Sequence, residues 1–430
     1  MSSHAIRHVR VTPIAFRDPP LLNAAGIHEP WALRSIIEIE TDSGLVGINE
    51  SYGDLPMLES LARAAPALAG LSPWALNDME TRVAALVTPP AQTASEFLGQ
   101  QVSLAPGTHA SKTVAKVISA FEVAMLDLQG QLAGAPVVDL LGGAARASVP
   151  FSAYLFFKYA EHIGHPYAPD PWGEALTPEQ LVAQARRMIS EHGFQSIKLK
   201  AGALPPAQEA AALLALAQAF PGAPLRIDPN ANWSVATSLA IVDQLRGVLE
   251  YYEDPAPGLD GMAAVARACE VPLATNMVVT DLAEFRRNAE LGCPVKIVLS
   301  DHHYWGGLRA TQRLALMCQT FGLGLSMHSN SHLGVSLTAM THLAASVPHL
   351  SYACDTHYPW QDDEVVTGGR LRFERGSLRV PTTQGLGVTL DRDALARLHD
   401  NYLHCGIRHR DDLAQMRKYD PTFTGQQPRF

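Results

Sequence analysis

The sequence predicts an α/β protein: a modified (β/α)8-type TIM barrel, fronted by an N-terminal α+β capping domain that the C-terminal tail completes. Three observations predict it. From about residue 150, eight short apolar runs alternate with amphipathic helical stretches. A polar residue ends nearly every one of those runs, at near-constant spacing. The first 150 residues instead show antiparallel strands followed by helices.

The elements follow in order. Residues 5–16 (AIRHVRVTPIAF) alternate as a strand, and 35–50 read as two strands about an Asp42-Ser43-Gly44 turn. Between them, 17–30 (RDPPLLNAAGIHEP) is rich in Pro, Gly and Ala and has no period. It is expected to be a mobile loop that closes over the barrel mouth as a lid. Helical stretches follow at 56–69 and 112–134, the second with an apolar face and a glycine near its end. The barrel alternation starts with FSAYLFF and the helix 177–192. It continues through SIKLK, PLRIDPN, LEYYEDP, VPLATN, KIVLSD and LGLSMHS, each followed by a helix, and closes on LSYACDTH. The tail 371–390 reads as a strand pair around Gly376-Ser377 that returns to the first domain. The expected divisions are 1–148, 149–370 and 371–430.

Bulk properties narrow the function. At 430 residues the chain suits a barrel with an added domain. Its 47% hydrophobic and 17% charged content is that of an ordinary globular protein. A net charge of −9 argues against nucleic acid, whose phosphates need a basic face. No apolar stretch reaches the roughly 20 residues of a membrane span, and MSSHAIRHVRV lacks the apolar core of a signal peptide. Cys269, Cys293, Cys318, Cys354 and Cys405 are scattered, which reads as reduced thiols in a cytoplasm.

The strand-end residues carry the chemistry. Lys200, Asp228, Glu253, Asn276, Asp301, His328 and Asp355 lie 28, 25, 23, 25, 27 and 27 residues apart, each about one strand-plus-helix unit. In a parallel barrel all seven converge on one face, where barrel active sites lie. Taken singly, Asp228 and Glu253 read equally as salt-bridge partners, and the shared register favours a site. Asp228, Glu253 and the neutral oxygen of Asn276 form a hard oxygen set suited to Mg²⁺. Zinc would call for His or Cys. Lys198 and Lys200 (K-L-K) face the same side of their strand. If that side is the lumen, two ammonium groups crowd one cavity beside a cation, and neighbouring positive charge and desolvation lower a lysine pKa towards that of a general base. Asp301 and His328 end neighbouring strands, where an Asp fixes the tautomer of an imidazole. His302, His303 and His332 repeat no zinc spacing and are set aside, leaving His328 and His357 as the site histidines. No glycine pattern supports a nucleotide.

At these residues the chain resembles a known family. KLKAG, RIDPNANWS, LEYYEDP, LATNM, SDHHYW, SMHSNSH and DTHYPWQ are similar, in order and spacing, to the glucarate dehydratase subgroup of the enolase superfamily. The likeness runs from LLNAAGIH to the RDD at 410–412. It implies Asp228, Glu253 and Asn276 as magnesium ligands, with Asn276 as the subgroup's mark. It implies Lys200 as base on one face, Lys198 beside the substrate carboxylate, and the Asp301–His328 dyad on the other face, with Asn230 next to the lysine and metal. It implies substrate contacts from Asn23, His28, Thr108, Tyr154, Ser329, His357 and Arg410, with Arg408 a rival for the last. The segments IHEPWAL, the His302 that follows the dyad Asp, and H-S-N-S-H depart from the family pattern at the substrate end. The expected activity is dehydration of an acid sugar, such as D-glucarate or a related dicarboxylate, by a cytoplasmic homo-oligomer. The alternatives are dehydration or epimerisation of another acid sugar, and a non-catalytic sugar-acid-binding relative.

Overall fold

The computed structural model of the chain describes residues 4–87, 112–165 and 170–430. β1 (Ile6–Arg17) leads into a small hairpin of β2 (Leu22–Asn23) and β3 (Gly26–Ile27), followed by β4 (Trp31–Thr41) and β5 (Val46–Tyr52). β1, β4 and β5 form an antiparallel sheet in that order. The expected turn is present, with Gly44 at φ 81°. The helix Thr113–Ala133 packs against this sheet, where its Ser119 and Ala120 carbonyls accept from Asn49 Nδ2 on β5. A Cβ on Gly47 would stand 2.1 Å from the Ala124 carbonyl, so the close approach requires glycine.

The segment expected to be a loop over the barrel mouth holds a small hairpin packed there. Asn23 Oδ1 accepts the backbone N–H groups of Ala25 and Gly26 at 2.8 and 3.0 Å, an Asx turn. Leu21, Leu22 and Ile27 are buried, and the Leu22 N–H donates to the Phe157 carbonyl at the barrel mouth, 2.8 Å away. A Cβ on Gly26 would meet the Asp412 carbonyl at 2.2 Å. The packing partners lie far away in sequence, so no local period announces the hairpin.

β6 (Ser148–Pro150) enters the barrel. β7 (Ala153–Phe156), β8 (Ile197–Lys200), β9 (Leu225–Asp228), β10 (Leu249–Glu253), β11 (Leu273–Thr275), β12 (Val295–Ser300) and β13 (Gly324–Met327) are parallel neighbours in chain order. The eighth expected run closes the ring without forming a regular strand. Ser351 and Asp355 donate backbone N–H groups to Leu325 and Met327 of β13. On its other side Cys354 donates to Pro150 and accepts from Ser152, just before β7. Every expected barrel helix is present. The first, Pro178–His192, shows why: Thr177 and Gln180 form a capping box, proline follows, and Gly193 ends it in the left-handed region.

The tail differs from its expected pairing. A tight turn does occur at Arg375-Gly376, but β14 (Ser377–Arg379) pairs with β6 rather than with 371–373. Further on, the helix Arg392–His404 packs against β1: His399 Nδ1 meets the Pro13 carbonyl at 2.7 Å, and Tyr402 joins Ala15 and Leu33 in one apolar cluster. Among the described residues no helix is long and apolar enough to cross a membrane.

Candidate active site

Strand alternation turns Lys198 and Lys200, Arg226 and Asp228, and Tyr251 and Glu253 into the lumen as stacked pairs. The lower level is closed by Tyr251, Ala274, Ile297 and Leu299, which form their own apolar cluster. Charges fill the level above. Lys198 Nζ donates to Glu253 Oε1 and Asp355 Oδ2, both at 2.7 Å, and lies 3.6 Å from Asp228. Lys200 Nζ donates to Asp228 Oδ2 at 2.6 Å. All are buried.

This environment corrects one expectation. Burial alone would lower the Lys198 pKa, but the carboxylates of Asp355 and Glu253 outweigh it and hold the ammonium well above its ordinary value. The protein charges nearest Lys198 are opposite in sign. Glu253 is raised well above the usual carboxylate range by burial and by Asp228, while Lys198 acts the other way without prevailing. Asp228 stays below its ordinary value because Lys200 and Lys198 outweigh its burial.

Carboxylate oxygens of Asp228, Glu253 and Asp254 lie within 4.8 Å of one another. Asp254 already accepts from Thr275 Oγ1 and, at 3.0 Å, from the Asn276 N–H, so it orients Asn276. Asn276 Oδ1 is buried and accepts no hydrogen bond from the described residues. An orphaned neutral oxygen beside two carboxylates fits a hard divalent cation. Non-glycine residues in the left-handed region mark the loops here: Asn230 at φ 53°, Ala231 at 59° and Asp254 at 35°. Such strain concentrates where a site over-determines the backbone.

Across β9–β12 from Lys200, Asp301 Oδ2 lies 3.4 Å from His328 Nδ1 and 3.5 Å from the Tyr52 hydroxyl. Asp301 Oδ1 accepts from the backbone N–H of His303 at 2.9 Å and from its Nδ1 at 2.7 Å. His303, set aside in the sequence, is therefore the nearer partner. Burial opposes ionisation of Asp301, yet His303 and His328 hold its carboxyl well below the usual range. His302 and His332 are held well below ordinary histidine values, chiefly by burial.

The residues expected to contact substrate fall into two groups. Tyr154, Ser329 and His357 gather at the lumen: Lys198 Nζ sits 4.6 Å from the Tyr154 ring centre, the His357 ring packs 4.8 Å from it, and Ser329 Oγ meets His357 Nδ1 at 3.1 Å. His28 reaches the same place from the hairpin, stacked on His357, with Nδ1 3.0 Å from Asp18 Oδ2. Asn23 and Arg410 both converge on Asp412. Arg410 donates to it twice, at 2.8 and 2.6 Å, and Asn23 Nδ2 donates at 2.7 Å. Arg410 also lines a cavity of about 40 Å³ with Asp18, Glu29, Arg34, Tyr52 and Asp54. Arg408 instead caps the end of the helix Arg392–His404, donating to Tyr402 and Leu403 carbonyls. Thr108 lies outside the described residues. Asp18, Arg34, Glu50, Asp254, His303 and Asp412 were not read as site residues. Only the D-D of RDD and the H-H after Asp301 gave any signal.

Two family descriptions match the chain: "Mandelate racemase / muconate lactonizing enzyme, N-terminal domain" over residues 9–142, and "Enolase C-terminal domain-like" over residues 180–394. The chain belongs to the enolase superfamily. It is 50% identical over 431 residues to a probable glucarate dehydratase of Streptomyces coelicolor, covering 99% of each chain. An enolase structure from Pseudomonas fluorescens with bound magnesium, potassium and tartrate superposes with a TM-score of 0.96 at 59% identity, covering 100% of both chains. An enolase from Mycobacterium smegmatis complexed with tartrate gives 0.91 at 52%, covering 99% of both. The enolase-superfamily fold accounts for the two-part architecture: a capping sheet supplies the hairpin, and the barrel supplies the charged strand ends.

Proposed function

We propose that this chain is a magnesium-dependent acid-sugar dehydratase that acts on a dicarboxylate such as D-glucarate. It removes the proton next to a carboxylate and expels the β-hydroxyl. The observation that carries the reading is the buried Asn276 Oδ1, without a partner among the described residues, at the strand end next to the clustered Asp228 and Glu253 carboxylates, with Lys200 on Asp228. The magnesium and tartrate of the Pseudomonas fluorescens structure and the name of the Streptomyces coelicolor relative support it.

Asp228, Glu253 and Asn276 would hold Mg²⁺, which when bound would supply Lewis-acid stabilisation of the negative charge that develops next to the carboxylate. Lys200 takes the α-proton on one face, and His328, held by Asp301, works on the other. Hydroxide is a poor leaving group, so protonated His328 also delivers a proton to the departing oxygen. Lys198 and Asn230 line the metal side. Tyr154, Ser329, His357, Asn23 and His28 make the remaining substrate contacts, and Arg410 receives the distal carboxylate. The hairpin shields these groups from water. Residues 1–148 and 371–430 together form the cap, and 149–370 the barrel; the packing of Arg392–His404 on β1 supports this division. Five free cysteines suit a reducing cytoplasm.

A second reading is dehydration or epimerisation of a different acid sugar. It draws on Arg410, whose fork is already shared with Asp412. Purified protein with Mg²⁺, screened against mono- and dicarboxylate sugar acids, tests both. Release of a keto-deoxy acid from an aldarate, abolished by chelator and restored by Mg²⁺, is the expected result. Full turnover in metal-stripped protein would sink the mechanism, and turnover of aldonates alone would favour the second reading.

A further inference from the structure

The capping sheet reaches the dyad through a continuous line of buried polar groups. Arg34 on β4 sends Nε to Glu50 Oε1 on β5 at 3.0 Å and Nη2 to His303 Nε2 at 2.9 Å. His303 Nδ1 meets Asp301 Oδ1 at 2.7 Å. A guanidinium has no acceptor. The ring nitrogen facing it must therefore present its lone pair, although the Glu50 carbonyl lies 3.3 Å from the same atom. A proton on Nε2 would point at a fixed positive charge. The His303 proton thus sits on Nδ1 and is donated to Asp301.

Glu50 closes the line on itself. Its two oxygens accept the backbone N–H groups of Leu333 at 2.9 Å and Ser336 at 3.0 Å. These residues open the helix Gly334–Ser346, directly after the loop that carries His328. Both members of the dyad are thereby tied to the same two residues of the capping sheet: Asp301 through His303 and Arg34, and the His328 loop through Glu50.

We propose that Arg34 and His303 are positioning residues for the Asp301–His328 dyad: Arg34 locks His303 as a neutral Nδ1–H donor, which fixes one Asp301 oxygen and leaves the other for His328. His303 is then a one-way prop and does not compete with His328 as acid or base. The Asp301–His328 contact is long, at 3.4 Å, so the direction of the Asp301 carboxylate decides whether it forms. This inference rests on the proposed reading that Lys200 and His328 work on opposite faces.

Two substrate epimers incubated in deuterium oxide separate the two faces, because each epimer offers its α-proton to one base. Arg34→Lys keeps a charge beside Glu50 but cannot serve Glu50 and His303 Nε2 together. His303→Phe keeps the ring volume and removes the donor. Both variants are expected to lose His328-side exchange by on the order of 10²-fold, the scale of a misplaced catalytic group. The ratio of His328-side to Lys200-side exchange should fall by that factor, because any change made through the place of Arg34 in the Arg410 cavity is shared by both faces. His303→Asn returns an N–H near the place of Nδ1 and should recover part of the loss. Equal loss on both faces, no loss on either, or no advantage of His303→Asn over His303→Phe would overturn the inference while leaving the two-base reading intact. Wild-type protein that exchanges neither epimer would overturn the two-base reading, and the inference with it.

Discussion

Replacing Lys198 with Met should destabilise the metal-free protein and make its stability unusually responsive to Mg²⁺. The Lys198 ammonium lies 2.7 Å from an oxygen of Glu253, 2.7 Å from Asp355 and 3.6 Å from Asp228, with no side chain exposed. At an effective dielectric of about 20, the Lys198–Asp355 pair, at 2.7 Å, is attracted by about 6 kcal/mol. Methionine also removes the desolvation penalty of the ammonium, which is several kcal/mol, so much of this attraction is offset. What remains is the penalty for leaving carboxylates uncompensated, about 3–5 kcal/mol when one partner of a buried pair is removed. A divalent cation supplies the missing charge. Bound at about 100 times its Kd it adds about 2.7 kcal/mol to either protein, and more to the variant, whose carboxylates attract it more strongly. Denaturant unfolding with EDTA and with Mg²⁺ measures both differences. A variant as stable as wild type in EDTA, or one that gains no more from Mg²⁺ than wild type does, would refute the reasoning.

Two further outcomes are expected. Arg410→Lys removes a fork that makes two parallel bonds to Asp412, and lysine reproduces that geometry poorly; kcat/KM for aldarates should fall relative to aldonates, and an unchanged ratio would show that Arg410 does not read the distal carboxylate. Glu122 is fully buried between the capping helix and the N–H groups of Leu308 and Arg309, and burial pushes its carboxyl up from 4.5 to about 7. The folded state therefore binds this proton more tightly than the unfolded chain, and stability falls as pH rises through that window, by about 3 kcal/mol in all. Glu122→Gln should flatten this decline in unfolding midpoints measured between about pH 5 and about pH 8, and an undiminished slope would remove Glu122 as its source.

The sequence by itself determined the barrel and its charged mouth. Strands whose side chains alternate and whose ends recur at one strand-plus-helix spacing leave little freedom, so Lys200, Asp228, Glu253, Asn276, Asp301 and His328 could be named from order alone. Helix limits were equally legible where caps are local, as at Thr177 and Gly193. The tertiary structure decided whatever depends on a partner distant in the chain. The 17–30 segment has no period because its order comes from Phe157 and Asp412, not from its neighbours. β14 found β6 because a short strand pairs with whichever edge the barrel leaves beside it. Lys198 was expected beside Lys200 and a cation, and its direct partners are carboxylates from β10 and the eighth run, since a lumen brings together side chains that spacing cannot rank by distance. His303 looked like a spare histidine until Arg34, 269 residues away, fixed its tautomer. Spacing tells which residues share a face; only close approach in three dimensions tells which of them share a proton or a charge.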